Sequence, residues 1–541
     1  MSDFEPPSLE LLGLLEARVR ALSQRHADKI KEFVKSKSPH IRAELEEIQA
    51  DLRSLNLQMI EEIARVERQS GLPDEVFEAF ARTALPRAEK RFWRREVEGV
   101  ASTASIEIGL IEALTALQSL APPKWLEREA QKAYRLGPAN IQQPLHVVAG
   151  TRVLQPGAIT PQRFAYMLLV TRDYIDGHED YDFLNGPLFI SEVLMLGRNL
   201  ETARRLGAEA ERKLKELWKM TDKMVASTIH ELLVGVATIK HGWMVEMLPE
   251  MKSTKTPDLR IVDFPVPAVI ECKRRIGLTE FELEEARFVE QLYKSIRGKL
   301  LDQGAHVSVE VEFHASVVGM SIEEFSSAVF KCVDDAVEDW QITNWGRMRV
   351  VRLPYVVDFP RCRLFSPIFM EKVFGWSALV ADEHEEWDGI LCEVEQPHRA
   401  TVTKARHPNC LKWRSIGESA LNKKARGVST LIANAISQIP DGEMGFVYVA
   451  YPEGARSMIA DNRTKDLLDR IEEREFYHGA MVRVPFVVVS RLYARPMNAG
   501  GPDLIESGIP LVENGLEHLL GDLPISVFVN PPNPSDEPSQ D

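Results

Sequence analysis

The sequence predicts an α+β chain of several domains: a mostly helical N-terminal region, a compact α/β unit and an α/β C-terminal extension. Three observations carry that prediction. At 541 residues the chain exceeds what a single hydrophobic core serves. Its first 215 residues or so place apolar side chains at helical spacing almost throughout, whereas from about Thr221 helical stretches alternate with short β-branched runs. The composition, 44% hydrophobic and 27% charged, is that of a globular protein rather than a disordered or fibrous one.

In the N-terminal region, residues 1–215, Leu9, Leu12, Leu15, Val19 and Leu22 recur at helical spacing, as do Ile41, Leu45, Ile48, Leu52, Leu55 and Ile60. Ser38-Pro39 separates the two stretches and Ser70-Gly71-Leu72-Pro73 ends the second. Two such helices either pack on their own domain or form a hairpin arm through which the chain pairs as a homodimer. Pro and Gly become more frequent over residues 121–157, helix returns at Pro161–Arg172, and a long helix is expected over Ser191–Met220. The acidic loop of Asp173, Asp176, Glu179, Asp180 and Asp182 around His178 lacks the alternating ligands of a calcium loop and reads as solvated.

The unit over residues 216–320 reads as a helix (Met224–Lys240) and three strands (Trp243–Leu248, Asp258–Phe264, Ala268–Lys273), then a helix (Glu280–Leu301) and a strand (His306–Phe313). The extension, residues 321–530, mixes a helix at Ser321–Trp340, strands near Met348–Leu353 and Gly389–Glu395, a helix at Ser415–Gln438 and buried strands at Phe446–Ala450 and Val482–Ser490. It stands either as a separate unit or as the second half of the preceding one. Residues 531–541 read as a disordered tail.

Several function classes are set aside by composition. The net charge of −15 argues against a nucleic-acid coat over the whole surface, because polyanion binding rests on Lys and Arg, though it leaves room for a local basic groove. Five widely spaced cysteines without Cys-x-x-Cys give no zinc or disulfide framework. The longest apolar candidate, Ala101–Ala121, carries Glu107 and Glu112, so no membrane span is expected. Met-Ser-Asp-Phe-Glu-Pro-Pro is not a secretory leader, and the expected location is cytoplasmic. Phosphate-loop and nucleophile-elbow motifs are missing, so any nucleotide-driven step falls to a separate NTPase or activator protein.

The most chemical stretch is Pro257-Asp258, followed after twelve residues by Glu271-Cys272-Lys273. On a strand, Glu271 and Lys273 project to one face while Cys272 points away. Asp258 starts the neighbouring strand and reaches the same spot. Carboxylates gathered in one pocket repel unless a cation neutralises them, and Mg²⁺ or Mn²⁺ suits such hard oxygen ligands. Pro502-Asp503 serves as an internal control, since no Glu-x-Lys follows it.

Over roughly Thr221–His314, less than a fifth of the chain, this arrangement resembles the PD-(D/E)xK nuclease superfamily, which has the restriction-endonuclease-like fold. The resemblance implies that Asp258 and Glu271 hold the metal, with the backbone carbonyl of Cys272 as a further ligand and Lys273 as the catalytic lysine. It also implies a further acid on the helix before the first strand, where Glu231 stands 27 residues before Asp258. A later core helix would present a polar residue to the site. Helix Glu280–Leu301 offers Gln291 or Lys294; helix Ser415–Gln438 offers Lys423, Lys424 or Gln438, and the earlier helix is the favoured one. The expected activity is Mg²⁺-dependent, endonucleolytic hydrolysis of DNA, in a chain whose helical arm resembles prokaryotic mobile-element or phage-defence nucleases. The alternatives are a nuclease acting on RNA or on a particular nucleic-acid structure, and a non-catalytic nucleic-acid-binding scaffold.

Thr401–Arg426 holds seven cations (Lys404, Arg406, Lys412, Arg414, Lys423, Lys424, Arg426) against one acid, Glu418. It is the expected phosphate-binding surface, with Arg274 and Arg275 as a shorter basic run beside the site. Asp388, Glu393 and Glu395 read as exposed, and His230 as a packing or hydrogen-bonding histidine.

Overall fold

A computed structural model of the chain describes residues 92–94, 97–101, 109–135, 145–148, 151–153, 162–176, 186–250, 256–275, 279–336, 338–363, 367–375, 387–395, 401–440, 442–452, 459, 462–467, 484–496, 502–513 and 522–528, with separate helical positions between 14 and 58. The N-terminal part comprises β1 (Phe92–Arg94), β2 (Val97–Ala101), α1 (Leu110–Gln118), α2 (Trp125–Arg135), β3 (Leu145–Val148), β4 (Thr151–Val153), α3 (Arg163–Ile175), α4 (Gly186–Arg198), α5 (Leu200–Arg204) and α6 (Ala208–Glu216). Then come α7 (Asp222–Lys240), β5 (Val245–Met247), β6 (Leu259–Ile261), β7 (Ala268–Arg274), α8 (Glu280–Asp302), β8 (Val307–Phe313) and α9 (Ile322–Asp334). The rest is β9 (Gln341–Ile342), β10 (Gly346–Arg352), β11 (Val356–Arg363), α10 (Pro367–Phe374), β12 (Gly389–Glu395), β13 (Thr401–Ser415), α11 (Glu418–Ala425), α12 (Gly427–Ile436), β14 (Met444–Pro452), β15 (Phe486–Pro496) and β16 (Pro502–Glu513).

The class is α+β, built on two mixed sheets. The first runs β1-β16-β15-β14-β7-β6-β5, with β2 also on β16. Its β5–β6–β7 portion is an antiparallel meander, β14 lies parallel to both β7 and β15, and β16 returns antiparallel. Alternation along β7 divides its side chains between two cores. Ala268, Ile270 and Cys272 join α7 and the N-terminal helices, whereas Val269 packs with α12 through Val428, Ile432 and Ile436. The second sheet runs β4-β3-β12-β13-β8-β10-β9, with β11 on β13. Its α8 and α9 face carries Val309, Val311, Met348, Leu411 and Trp413.

Several expectations change. The region before residue 215 is not wholly helical: β1 and β2 pair with β16, and β3 pairs with β12. Runs such as Leu145-His-Val-Val148 are too short to show a period, and what makes them strands is a partner more than two hundred residues away. The long helix expected over 191–220 breaks at Asn199 and again at Gly207 (φ +101°), a backbone conformation that glycine alone adopts readily.

The strand over 306–313 leaves the expected compact unit. As β8 it belongs to the second sheet, and the parallel neighbour of β7 is β14. Residues 275–417 therefore run off into the second sheet before the chain returns to the first, and the boundary between 216–320 and 321–530 separates neither sheet. The helix expected over 415–438 is two helices broken at Arg426, since β13 extends through Ser415.

Ile41 and Leu45 are buried in the large core beside the first sheet, so that helix packs on its own chain. Leu9, Leu12, Val19, Leu52 and Ile60, the loop residues His178, Glu179, Asp180 and Asp182, and the tail 531–541 lie outside the described residues. Among the described residues no helix is long and apolar enough to cross a membrane.

Candidate active site

The meander and its flanking helices gather the acidic and basic groups. Leu259 pairs with Ile270, which sets Asp258 beside the Glu271–Lys273 segment, and Asp258 Oδ2 accepts the Cys272 N–H at 2.8 Å. Glu271 is completely buried, and Lys273 Nζ donates to its Oε1. Cys272 sends its side chain the other way, into the apolar core. From α7 comes Glu231, buried and bonded by Lys213 Nζ of α6 at 2.7 Å; Lys213 also reaches Glu250 at 3.5 Å.

The late helix, not the early one, completes the cluster. Gln438, just past α12, bridges the pair when its amide is oriented to satisfy both neighbours. It donates to Glu271 Oε1 at 3.2 Å and accepts from Lys273 Nζ at 2.7 Å. Gln291 and Lys294 instead lie exposed on α8, with Lys294 paired to Glu290 at 2.7 Å. The preference for the earlier helix is therefore overturned. The physical reason is that α8 buries its apolar face against the second sheet, while α12 buries its own against β7 and β14.

Three carboxylates and two ammonium groups leave the cluster one negative charge. Burial pushes the Glu271 carboxyl up to about 7, with Glu231 adding to the lift and Lys273 opposing it. Asp258 is raised well above the carboxylate range by desolvation, then by Glu231 and Glu271. It keeps some exposed surface, yet protein encloses it on most sides, and the two neighbouring carboxylates fix the same direction. For Lys273, burial works against the charge but Glu271 outweighs it, so the ammonium titrates above its ordinary value. Lys213 behaves likewise beside Glu231.

Among the described residues no three His, Cys, Asp or Glu side chains stand as a ready-made metal cage. The donor chemistry nonetheless fits a hard divalent cation. Glu271 Oε2 is buried without a hydrogen-bond partner, and the clustered carboxylates hold raised pKa values that a nearby cation would bring down.

Compared with known proteins, the chain matches no family model, no curated protein and no solved structure.

Three of the seven cations of the expected phosphate-binding surface, Lys412, Arg414 and Lys424, are internal. Lys412 and Arg414 pair with Glu310 and Glu312 across β13 and β8. Lys424 is buried between Asp388 at 2.6 Å and Glu285 at 3.0 Å. Lys404 pairs with Asp358 at 3.2 Å. Only Arg406, Lys423 and Arg426 join Lys404 in being exposed, and Lys423 lies over the Phe281 ring at 4.9 Å. Lys404, Arg406, Lys412 and Arg414 stand on strand β13, where Lys412 and Arg414 meet carboxylates of β8, while Lys423 and Lys424 lie on α11 and Arg426 at its end. Arg274 is likewise buried, bonded to Glu192 and stacked on Phe528, and Arg275 pairs with Glu282. Nor are Asp388 and Glu393 exposed: the first binds Lys424, and the second binds Arg297. His230 is a packing residue, stacked on Phe528 at 5.6 Å and pushed down to about 3 by burial and then by Arg274.

Lys213 is the cluster member the motif did not point to. One signal was available: Ala210, Lys213, Leu214 and Leu217 form the buried stripe of their segment. A lysine on such a stripe needs a buried partner.

Proposed function

We propose that this chain is a metal-dependent nuclease that cuts phosphodiester bonds of DNA within the strand. The observation that carries the reading is the meeting of Asp258, Glu271, Lys273 and Gln438 at one point of the first sheet. The order helix α7, antiparallel meander, helix α12 and parallel strand β14 supports it, because it is the order expected of a restriction-endonuclease-like core.

Asp258 and Glu271 are the residues that would hold Mg²⁺ or Mn²⁺, with the Cys272 carbonyl as a further oxygen and Glu231 behind them. When bound, such a cation polarises the phosphate and lowers the pKa of water. The chain's own groups do the rest. Lys273 stays protonated beside Glu271, so it serves as a fixed positive charge rather than as a base, and faces the charge that develops on the phosphate. Gln438 fixes the Lys273 ammonium and the Glu271 carboxylate relative to each other, so neither reorganises during the reaction. Lys213 neutralises Glu231 and keeps it in place.

The test is incubation of the purified protein with supercoiled plasmid in Mg²⁺, Mn²⁺ or EDTA, beside Asp258→Ala and Lys273→Ala. Nicking or linearisation that needs the cation and drops at least about 100-fold in both variants supports the reading. Equal treatment with RNA decides the substrate. If neither polymer is cut and the wild type binds no divalent cation, the nuclease reading is wrong and a binding scaffold replaces it.

A further inference from the structure

On the second sheet, the face opposite α8 and α9 carries two rows of charge. Strand register sets Arg349 and Lys412 on either side of Glu310, and Arg347 and Arg414 on either side of Glu312. Arg349 Nε donates to Glu310 at 2.6 Å and Lys412 Nζ at 3.3 Å. Arg347 Nη2 donates to Glu312 at 3.0 Å and Arg414 Nε at 3.1 Å.

The two cations of each row differ in exposure. Lys412 and Arg414 keep 9% and 15% of their side-chain surface in solvent, Arg349 and Arg347 35% and 42%. One inner cation suffices to neutralise each glutamate. The outer arginine of each row is then surplus to the charge balance of the sheet. Trp340 fixes both surplus guanidiniums over its ring, at 4.7 and 5.0 Å, which lowers the entropy lost when they bind a ligand.

We propose that Arg347 and Arg349 grip the sugar-phosphate backbone of a nucleic-acid strand, an inference that rests on the nuclease reading of the first sheet. Two residues along a strand set the backbone positions of Arg347 and Arg349 about 6.6 Å apart, comparable with successive phosphates of one strand. A guanidinium bound to a carboxylate through one edge still offers donors to a phosphate on another. Such contacts follow the backbone and carry no base preference. The second sheet thereby gives the chain a hold on the polymer away from the scissile bond, in a molecule whose net charge of −15 otherwise repels it.

The experiment is fluorescence anisotropy of the full chain with labelled single-stranded and duplex DNA in EDTA, over a salt series, so that no cleavage occurs. The double variant Arg347→Gln/Arg349→Gln is compared with wild type and with Lys294→Gln, an exposed cation on α8. Lys412 and Arg414 still neutralise the glutamates in the double variant. The expected result is a roughly tenfold loss of affinity and a salt slope shallower by about 1.4 to 1.8, from about 0.7–0.9 per phosphate contact, with Lys294→Gln unchanged. Trp340→Leu, which keeps every charge, is expected to weaken binding about threefold, and it replaces the double variant should that one fail to fold. Wild-type affinity and slope in both the double variant and Trp340→Leu would overturn the proposal while leaving the nuclease reading intact. Wild type that binds neither DNA form would overturn both.

Discussion

Glu271 controls how the site responds to pH. Its carboxyl titrates near 7 when folded, desolvation being the main cause, against about 4.3 for a free glutamate. The folded state therefore holds the proton more tightly than the unfolded one between those values. Stability from this group is complete below about 4.3, falls as pH rises and is lost above about 7. In EDTA the Glu271→Gln variant should remove that slope and gain on wild type toward pH 8, by a few kcal/mol at most; parallel slopes in thermal melts from pH 5 to 8 would refute this. A cation binding there must displace the proton. Mn²⁺ titration calorimetry at pH 6.5 in buffers of different ionisation enthalpy should accordingly show proton release, and release should fall in Glu271→Gln. Lys213 makes a separate case. Removing it as Lys213→Met leaves Glu231 buried without its cation, a loss of about 3–5 kcal/mol, which the double variant with Glu231→Gln should largely restore in urea denaturation. Equal losses in single and double variants would show that packing, not charge, governs the pair.

Elements in this fold are positioned by close contacts as much as by propensity. α1 and α4 touch at Gly197, where an added Cβ would stand 2.6 Å from Ala113 Cα, Cβ and O. Gly197→Val should force the helices apart at a cost of about 1–3 kcal/mol, read as a lower melting temperature with the far-ultraviolet spectrum retained. An unchanged melting temperature would mean that the helices separate freely. Single elements were the most legible level of the sequence. The helix at 222–240, the meander strands and β12 stand close to where their periodicity put them, because each buries an amphipathic face whose period is local information. Helix ends were less legible: Asn199 and Arg426 interrupt helices without a proline to announce the break.

At the scale of the whole molecule, one buried cluster joins helices α8 and α11 to the second sheet. Lys424 of α11 lies between Asp388, at the start of β12, and Glu285 of α8, and Ser415 at the end of β13 donates to Glu285 at 2.7 Å. Burial raises the Glu285 carboxyl even against the pull of Lys424. Lys424→Met would strand two buried carboxylates and destabilise by about 3–5 kcal/mol. The loss should be smaller at pH 5 than at pH 8, since protonation removes the buried charge; a pH-independent loss in thermal melts would contradict this. The sequence by itself determined the α+β class, the helix–meander unit and the residues Asp258, Glu271 and Lys273, because strand alternation and side-chain chemistry are encoded over a few neighbouring positions. Only the tertiary structure decided which helix and which parallel strand complete the first sheet, that Gln438 and Lys213 join the cluster, and that Lys412, Arg414 and Lys424 are internal. Those outcomes depend on pairings between segments more than a hundred residues apart, such as β7 with β14 and β8 with β13. The local pattern of either segment alone carries no record of its partner.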